Sequence, residues 1–220
     1  GKIATKFLPC GIDQEIYHQL CIIGGGVRKE GECPYCGSGD RERWVYYILK
    51  QYTGVFNEKC KILHIAPEKK ISEKILENKN CDYYTGDIEL GKGQYVVDVT
   101  NLRFLDNEFD YIIMNHVLEH VADENMALGE LKRCLGKNGK LILTFPVCLE
   151  QNTYEDKKHL SNKERLLKYG QEDHVRLYGI DSARRLSSYG FYVKEYIAKE
   201  ILTAKEIEEN AFISDDRVFI

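Results

Sequence analysis

From residue 61 onward, short aliphatic runs alternate with segments whose apolar residues recur at helical spacing. The runs predict strands at 61–66, 81–84, 94–98, 109–115, 139–145 and 190–196. The amphipathic segments predict helices over 71–78, 122–135 and 181–189. In 122–135, Leu128, Leu131 and Leu135 mark one face, and Asn138-Gly139 reads as the turn into the next strand. "RWVYYILKQYTG" (43–54) predicts a further helix that ends near Gly54. Strand and helix in alternation argue for an α/β architecture, a mostly parallel sheet covered by helices. Right-handed crossovers then make it a Rossmann-like, doubly wound fold.

Two stretches break this rhythm. Residues 1–43 are irregular, with Gly24-Gly25-Gly26 at their centre, and read as an N-terminal appendage. Residues 147–180 are polar, carry Tyr154, Tyr169 and Tyr178, and lie between two predicted strands. A long polar insertion of this kind is usually a lid or a disordered loop. The expected organisation is therefore an appendage over 1–43 and a main domain over 44–220 with an insertion at 147–180. "DDRVFI" (215–220) reads as a last strand, with a further tail expected beyond it. Gly1-Lys2-Ile3 does not open a signal peptide, and Gly1 in place of Met reads as a cloning scar.

Composition narrows the function classes. The 220 residues are 43% hydrophobic and 30% charged, ordinary for a soluble globular chain. A net charge of −4 gives no global basic field, which disfavours nucleic acid as partner. No apolar run approaches the roughly 20 residues that cross a bilayer. Eight cysteines are scattered and no secretion signal precedes them, so reduced thiols in a cytoplasm are expected. Only Cys33 and Cys36 form a pair.

The strand-to-helix turn in "KILHIAPEKK" (61–70) carries the first chemistry. Dinucleotide-binding turns use glycines to bring the backbone close to a pyrophosphate. Ala66-Pro67-Glu68 has none. A cofactor without phosphate has less need of that approach, and S-adenosylmethionine is one. Glu68 suits its ammonium, and amides at the helix start suit its carboxylate. Asp87 follows Glu68 by 19 residues, near the spacing at which a carboxylate takes two ribose hydroxyls.

The stretch from 96 to 146 then resembles the class I S-adenosylmethionine-dependent methyltransferases. That family places an acidic residue after the third strand, six positions before a Phe. Asp98 and Phe104 match, with Arg103 where the family has Pro. "DNEFD" (106–110), "HVLEHV" (116–121) and "LKRCLGKNGKLIL" (131–143) match the following strand, helix, turn and strand. "CPYCGSGDRERW" (33–44), "HIAPE" (64–68), "HVLEH" (116–120) and "YGQEDHVRLYG" (169–179) are similar to a bacterial subgroup. Its members carry a Cys-Pro-x-Cys-Gly stretch and an Ala-Pro-Glu turn, and lie among surface-polysaccharide genes. The resemblance implies a seven-stranded sheet and S-adenosylmethionine as cofactor, with S-adenosylhomocysteine as product. It also implies a small or glycan-linked acceptor.

Position by position, the resemblance implies that His64, Ala66, Pro67 and Glu68 line the methionine part. Asp87 would hold the ribose and Asp98 the adenine amine, with Val99 beside the ring. Asn115 would face the cofactor. Each has a structural reading too: Asp87 and Asp98 as turn residues, His64 as a satisfied core histidine. Methyl transfer needs a base only when the nucleophile must lose a proton, as a hydroxyl does. His116 and His174 are the candidates, with Arg176 and Tyr178 as acceptor contacts; a salt-bridge network pinning the insertion is the competing reading. Cys33 and Cys36 supply two of the four ligands zinc needs; a tight turn with two buried thiols is the alternative. O-methylation leads; a catalytically silent scaffold and a nucleic-acid methyltransferase with a zinc module are the other classes.

Overall fold

The computed structural model describes residues 6–156 and 158–220; Gly1-Lys2-Ile3, read above for a leader, lies outside them. Seven strands form the central sheet: β1 Cys60–Ile65, β2 Cys81–Asp87, β3 Tyr95–Val96, β4 Phe109–Asn115, β5 Leu135–Thr144, β6 Glu195–Ile197 and β7 Arg217–Phe219. Their order is β6-β7-β5-β4-β1-β2-β3. The five strands from β5 to β3 run parallel, and β7 lies antiparallel to β5. This is the predicted mixed, mostly parallel, doubly wound sheet.

Helices α1 Asp40–Tyr52, α2 Lys69–Ile75, α3 Glu124–Cys134, α4 Asn162–Tyr169 and α5 Ser182–Ser188 follow in chain order. Among the described residues, no helix is long and apolar enough to cross a membrane. The chain divides into two compact units. One is the described part of Gly1–Tyr47 with Pro146–Ser182 and Tyr196–Arg217; the other is Ile48–Phe145, Ala183–Glu195 and Val218–Ile220.

The second unit holds the centre of the sheet. Ile62, Leu63, Ile112, Ile113, Met114 and Ile142 are buried, so the central strands are apolar on both faces. That is why they read as continuous runs rather than alternations. Asp123 caps α3 by accepting from the Met126 amide at 2.9 Å. Ala127, Leu128, Leu131 and Cys134 form its buried face. Buried Glu124, at the start of α3, accepts from Arg185 of α5 at 2.7 Å and from Tyr189 at 2.9 Å.

Some expectations shift. The strand expected at 190–196 is confined to Glu195–Ile197, and the one at 94–98 to Tyr95–Val96. Asn138-Gly139 does not precede β5 as a turn but lies inside it. Between the pairs Phe109↔Leu135 and Tyr111↔Lys140 the ladder slips, and "GKNG" (136–139) is absorbed as a bulge.

The first unit is more regular than its polar sequence suggests. Leu8–Cys10 pairs with Arg28–Glu32, and Ile22–Ile23 with Val147–Cys148. Tyr17, Ile22, Cys148, Leu160, Tyr169 and Leu177 form its apolar cluster. Ser161 and Glu164 close a capping box on α4, and Gly170 ends that helix at φ +85°. Buried Trp44 stacks on Tyr47 at 5.5 Å and meets Phe212 edge-on at 5.4 Å.

Candidate functional site

The parallel register sets the site. Ile65 of β1 pairs with Gly86 of β2 and with Met114 of β4. Ala66, Asp87 and Asn115 each come one residue later, so they leave the sheet at one level on its carboxyl edge. Adjacent strands are about 4.8 Å apart, so three candidate positions share one short row. Open α/β sheets bind ligands at this edge.

Ala66 has φ +51°, a conformation that costs a residue with a Cβ about 1–2 kcal/mol. Its amide donates to the Gly86 carbonyl at 2.8 Å, which ties the turn to β2. The chain bends here as a glycine turn would, without the glycine. Pro67 follows, and Glu68 sits at the start of α2 without capping it. The Glu68 carboxylate turns back to the sheet instead: Oε2 lies 2.7 Å from Nε2 of His64. His64 is fully buried, and its Nδ1 lies 2.8 Å from the Tyr83 hydroxyl. Tyr83 in turn lies 2.8 Å from Ser72 Oγ on α2. Both ring nitrogens of His64 are thus engaged inside the protein.

Burial disfavours the Glu68 carboxylate, but the hydrogen bond and charge of His64 outweigh it, with help from the Asn115 amide. Its carboxyl sits below the usual value, so the turn carries a negative charge. The Glu68 side chain stays 23% exposed.

Asp87 ends β2 and accepts from the Glu89 amide through Oδ1 at 2.8 Å. Thr85 and Gln94 exchange two hydrogen bonds, of 3.0 and 3.1 Å, and close the loop after Asp87. A Cβ at Gly93 would stand 2.9 Å from the Gly86 carbonyl carbon, so the loop needs glycine to lie this close. Asp98 is exposed and accepts from the Thr100 amide and hydroxyl through Oδ1, at 2.8 and 2.7 Å. Those bonds hold its carboxyl below the usual range. Each aspartate uses Oδ1 for its own turn, and neither Oδ2 has a hydrogen bond among the described residues. Turn residue and ligand residue are compatible roles here. Val99 is buried.

The loop beyond Asp98 is held by Arg133 of α3, which donates to the Leu102 and Phe104 carbonyls at 2.8 and 2.9 Å. Phe104 packs edge-on against Phe109 at 5.1 Å. The Asp98–Phe104 spacing therefore fixes a loop to the sheet.

Asn115 is buried at the end of β4 and accepts from Thr144 Oγ1 at 3.0 Å. Its Nδ2 is buried and near enough to Glu68 to favour that carboxylate, yet has no partner in hydrogen-bonding geometry. An unsatisfied buried donor costs about 1–3 kcal/mol unless a ligand meets it. This orphaned amide is the observation that the edge fits a polar ligand. His116 follows at φ +52°, with its amide donating to the Thr144 carbonyl at 2.8 Å. Its Nδ1 lies 3.1 Å from Oε1 of buried Glu119.

The remaining candidates lie in the first unit. His174, Arg176 and Tyr178 are all buried. Arg176 pairs with Glu155 through Nε at 3.2 Å and Nη2 at 3.3 Å. Tyr178 accepts at its carbonyl from the Cys148 amide. Cys33 and Cys36 flank a tight turn in which the Gly37 amide donates to the Cys33 carbonyl at 2.8 Å. Cys36 Sγ donates to Ser38 Oγ at 3.2 Å. Among the described residues, no cluster of three metal-ligating side chains includes either cysteine. Arg43, just beyond, donates to the carbonyls of Gly31, Ser38, Asn210 and Ala211.

Sequence reasoning passed over Tyr83, Ser72, Glu119 and Ile88. Ile88 directly follows Asp87 and is 72% exposed, an apolar surface beside a carboxylate. An aliphatic residue after the acid that ends a strand is its only sequence signal. Glu119 was legible as the acid three positions after His116.

Residues 36–143 match the family of the methyltransferase domain. Solved structures of the same fold include an S-adenosylmethionine-dependent methyltransferase from Archaeoglobus fulgidus. It is 14% identical, with a TM-score of 0.50 over 82% of this chain and 93% of that one. The Haemonchus contortus phosphoethanolamine N-methyltransferase 2, bound to phosphomonomethylethanolamine and S-adenosylhomocysteine, is 17% identical. Its TM-score is 0.50 over 80% of this chain and 51% of that one. The [4+2]-cyclase SpnF is 14% identical, with a TM-score of 0.56 over 77% and 66%. At these identities the likeness is one of fold. No curated protein sequence matches the chain.

Proposed function

We propose that this chain, a class I S-adenosylmethionine-dependent methyltransferase, methylates an oxygen of a small or glycan-linked acceptor. The observation that carries the reading is the row of Ala66, Asp87 and Asn115, closed by the His116–Glu119 pair. When bound, the cofactor supplies an electrophilic methyl group on a sulfonium. The residues of the chain do the rest. Ionised Glu68 accepts from the ammonium of the methionine end, and Asp87 Oδ2 from the ribose hydroxyls. Asp98 accepts from the adenine amine, with Ile88 and Val99 offering apolar surface. Asn115 Nδ2 donates to a ligand oxygen.

His116 is the base. A bond from Nδ1–H to Glu119 fixes the tautomer in which Nε2 is basic, and the carboxylate steadies the imidazolium that forms. A base of this kind is needed for a hydroxyl nucleophile, and this favours oxygen as the methylated atom. In this reading the acceptor is a surface-polysaccharide precursor in a bacterial cytoplasm, as the Cys-Pro-x-Cys-Gly and Ala-Pro-Glu stretches imply.

Calorimetric titration with S-adenosylmethionine and S-adenosylhomocysteine, with NADH as control, tests the reading first. Binding of both, weakened by Asp87→Ala and by Asp98→Ala, with NADH silent, is the expected result. Radiolabelled methyl transfer to a panel of sugars and small alcohols follows. Folded protein that binds neither cofactor form would end the proposal.

A further inference from the structure

Ser72, Tyr83, His64 and Glu68 make a continuous chain from the outer helix to the turn, with links of 2.8, 2.8 and 2.7 Å. In the uncharged form of the His64 ring, the two ends of this chain set the direction of the protons. A carboxylate only accepts, so His64 must present N–H from Nε2. In a neutral imidazole Nδ1 then accepts, and only the Tyr83 O–H can supply that proton. The Tyr83 oxygen then accepts from the Ser72 hydroxyl. Burial pushes the Tyr83 phenol well above its usual value, so it keeps the proton it must donate.

We infer that Ser72 and Tyr83 are positioning residues for the cationic end of the cofactor, acting through His64 on Glu68. The inference rests on the methyltransferase reading and deepens it. A glycine loop binds by bringing amides to an anion. Here the turn is Ala66-Pro67-Glu68, and the recognition element is a side chain with three rotatable bonds. A flexible carboxylate loses rotamer entropy whenever it engages a cation. His64, fully buried and held from behind by Tyr83, fixes Glu68 in advance. Ionised Glu68, pinned through Oε2 to His64, offers its other carboxylate oxygen outward. The relay thus selects ligands with a positive amino group at that end and disfavours phosphates.

The probe pair is S-adenosylhomocysteine and 5′-methylthioadenosine. Both carry adenosine and a thioether sulfur; only the first has the amino-acid end. Calorimetry on the full chain compares the two for wild type, Tyr83→Phe and Ser72→Ala. Tyr83→Phe is expected to weaken S-adenosylhomocysteine about tenfold, the worth of one hydrogen bond to a charged network. Ser72→Ala is expected to weaken it about threefold, since its loss acts one link further away. Affinity for 5′-methylthioadenosine stays within twofold of wild type in both. Equal weakening of the two ligands marks a merely structural role and overturns the inference, as does unchanged S-adenosylhomocysteine binding. Ser72→Ala removes no core volume, so it decides the matter if Tyr83→Phe does not fold. Wild type that prefers 5′-methylthioadenosine overturns the role of Glu68 alone. Wild type that binds neither overturns the methyltransferase reading beneath it.

Discussion

His116 Nδ1 and Glu119 Oε1 lie 3.1 Å apart across a single turn of 3-10 helix, and His116 holds a left-handed backbone to make the contact. A residue with a Cβ is seldom kept in that conformation without function. His116→Gln should lower kcat by about 10²–10³-fold, the usual worth of a general base. Glu119→Gln should lower it about tenfold by loosening the imidazole. Cofactor affinity should stay within twofold in both. Steady-state kinetics with acceptor alcohols of graded acidity check this: the deficit should shrink as the alcohol becomes more acidic. A uniform deficit would remove His116 from proton transfer.

Ala66 offers a test of backbone strain. At φ +51° a glycine rests more easily than alanine. Ala66→Gly should therefore stabilise the fold by about 0.5–1 kcal/mol, less the entropy glycine regains when unfolded. Ala66→Val should destabilise it by more than that. Urea unfolding measures both; a destabilised glycine variant would mean that the strain is not real.

Asp216 sets a pH dependence. Burial, with Asp40 nearby, pushes its carboxyl up to about 7, against the pull of Arg41 and Arg28. The folded state therefore holds a proton that the unfolded state releases at its ordinary pKa near 4. Stability contributed by the neutral form is complete below about pH 4 and is lost as pH rises toward 7. Asp216→Asn keeps the group neutral, so it should gain a few kcal/mol over wild type at pH 8 and almost nothing at pH 4. Thermal melts at both values check the sign. A variant equally stabilised at pH 4 would show that charge is not the cause.

The central strands were legible because burial on both faces leaves short aliphatic runs in β1, β4 and β5: Ile62-Leu63, Ile112-Ile113 and Leu141-Ile142-Leu143. Leu128 and Leu131 announced α3 in the same way, by a buried stripe. The pairing of Leu8–Cys10 with Arg28–Glu32 was not legible, since "RKEGE" is a polar ladder held by backbone bonds. "GKNG" carries turn chemistry and was read as a turn; tertiary pairing with β4 made it a bulge. At the site, Asp87 and Asp98 were marked by spacing and by likeness to a family. Tyr83 and Ser72 were not, because their hydrogen bonds reach Glu68 only by way of His64, and a chain of hydrogen bonds between distant residues leaves no local pattern.

The place of β7 in the sheet has a consequence for synthesis. The Lys194 and Ile220 amides and carbonyls bond reciprocally, at 2.7 and 2.9 Å, and Phe219 pairs with Leu143 of β5. The segment leading into β6 leaves the ribosome first, yet its partner is the later β7. Until that segment emerges, β5 stands as a bare edge on the nascent chain, the kind of surface chaperones cover. Ribosome stalling before residue 217 should leave a particle whose β1–β5 core is formed but open on one side. Emergence of the β7 segment would then close it in one step.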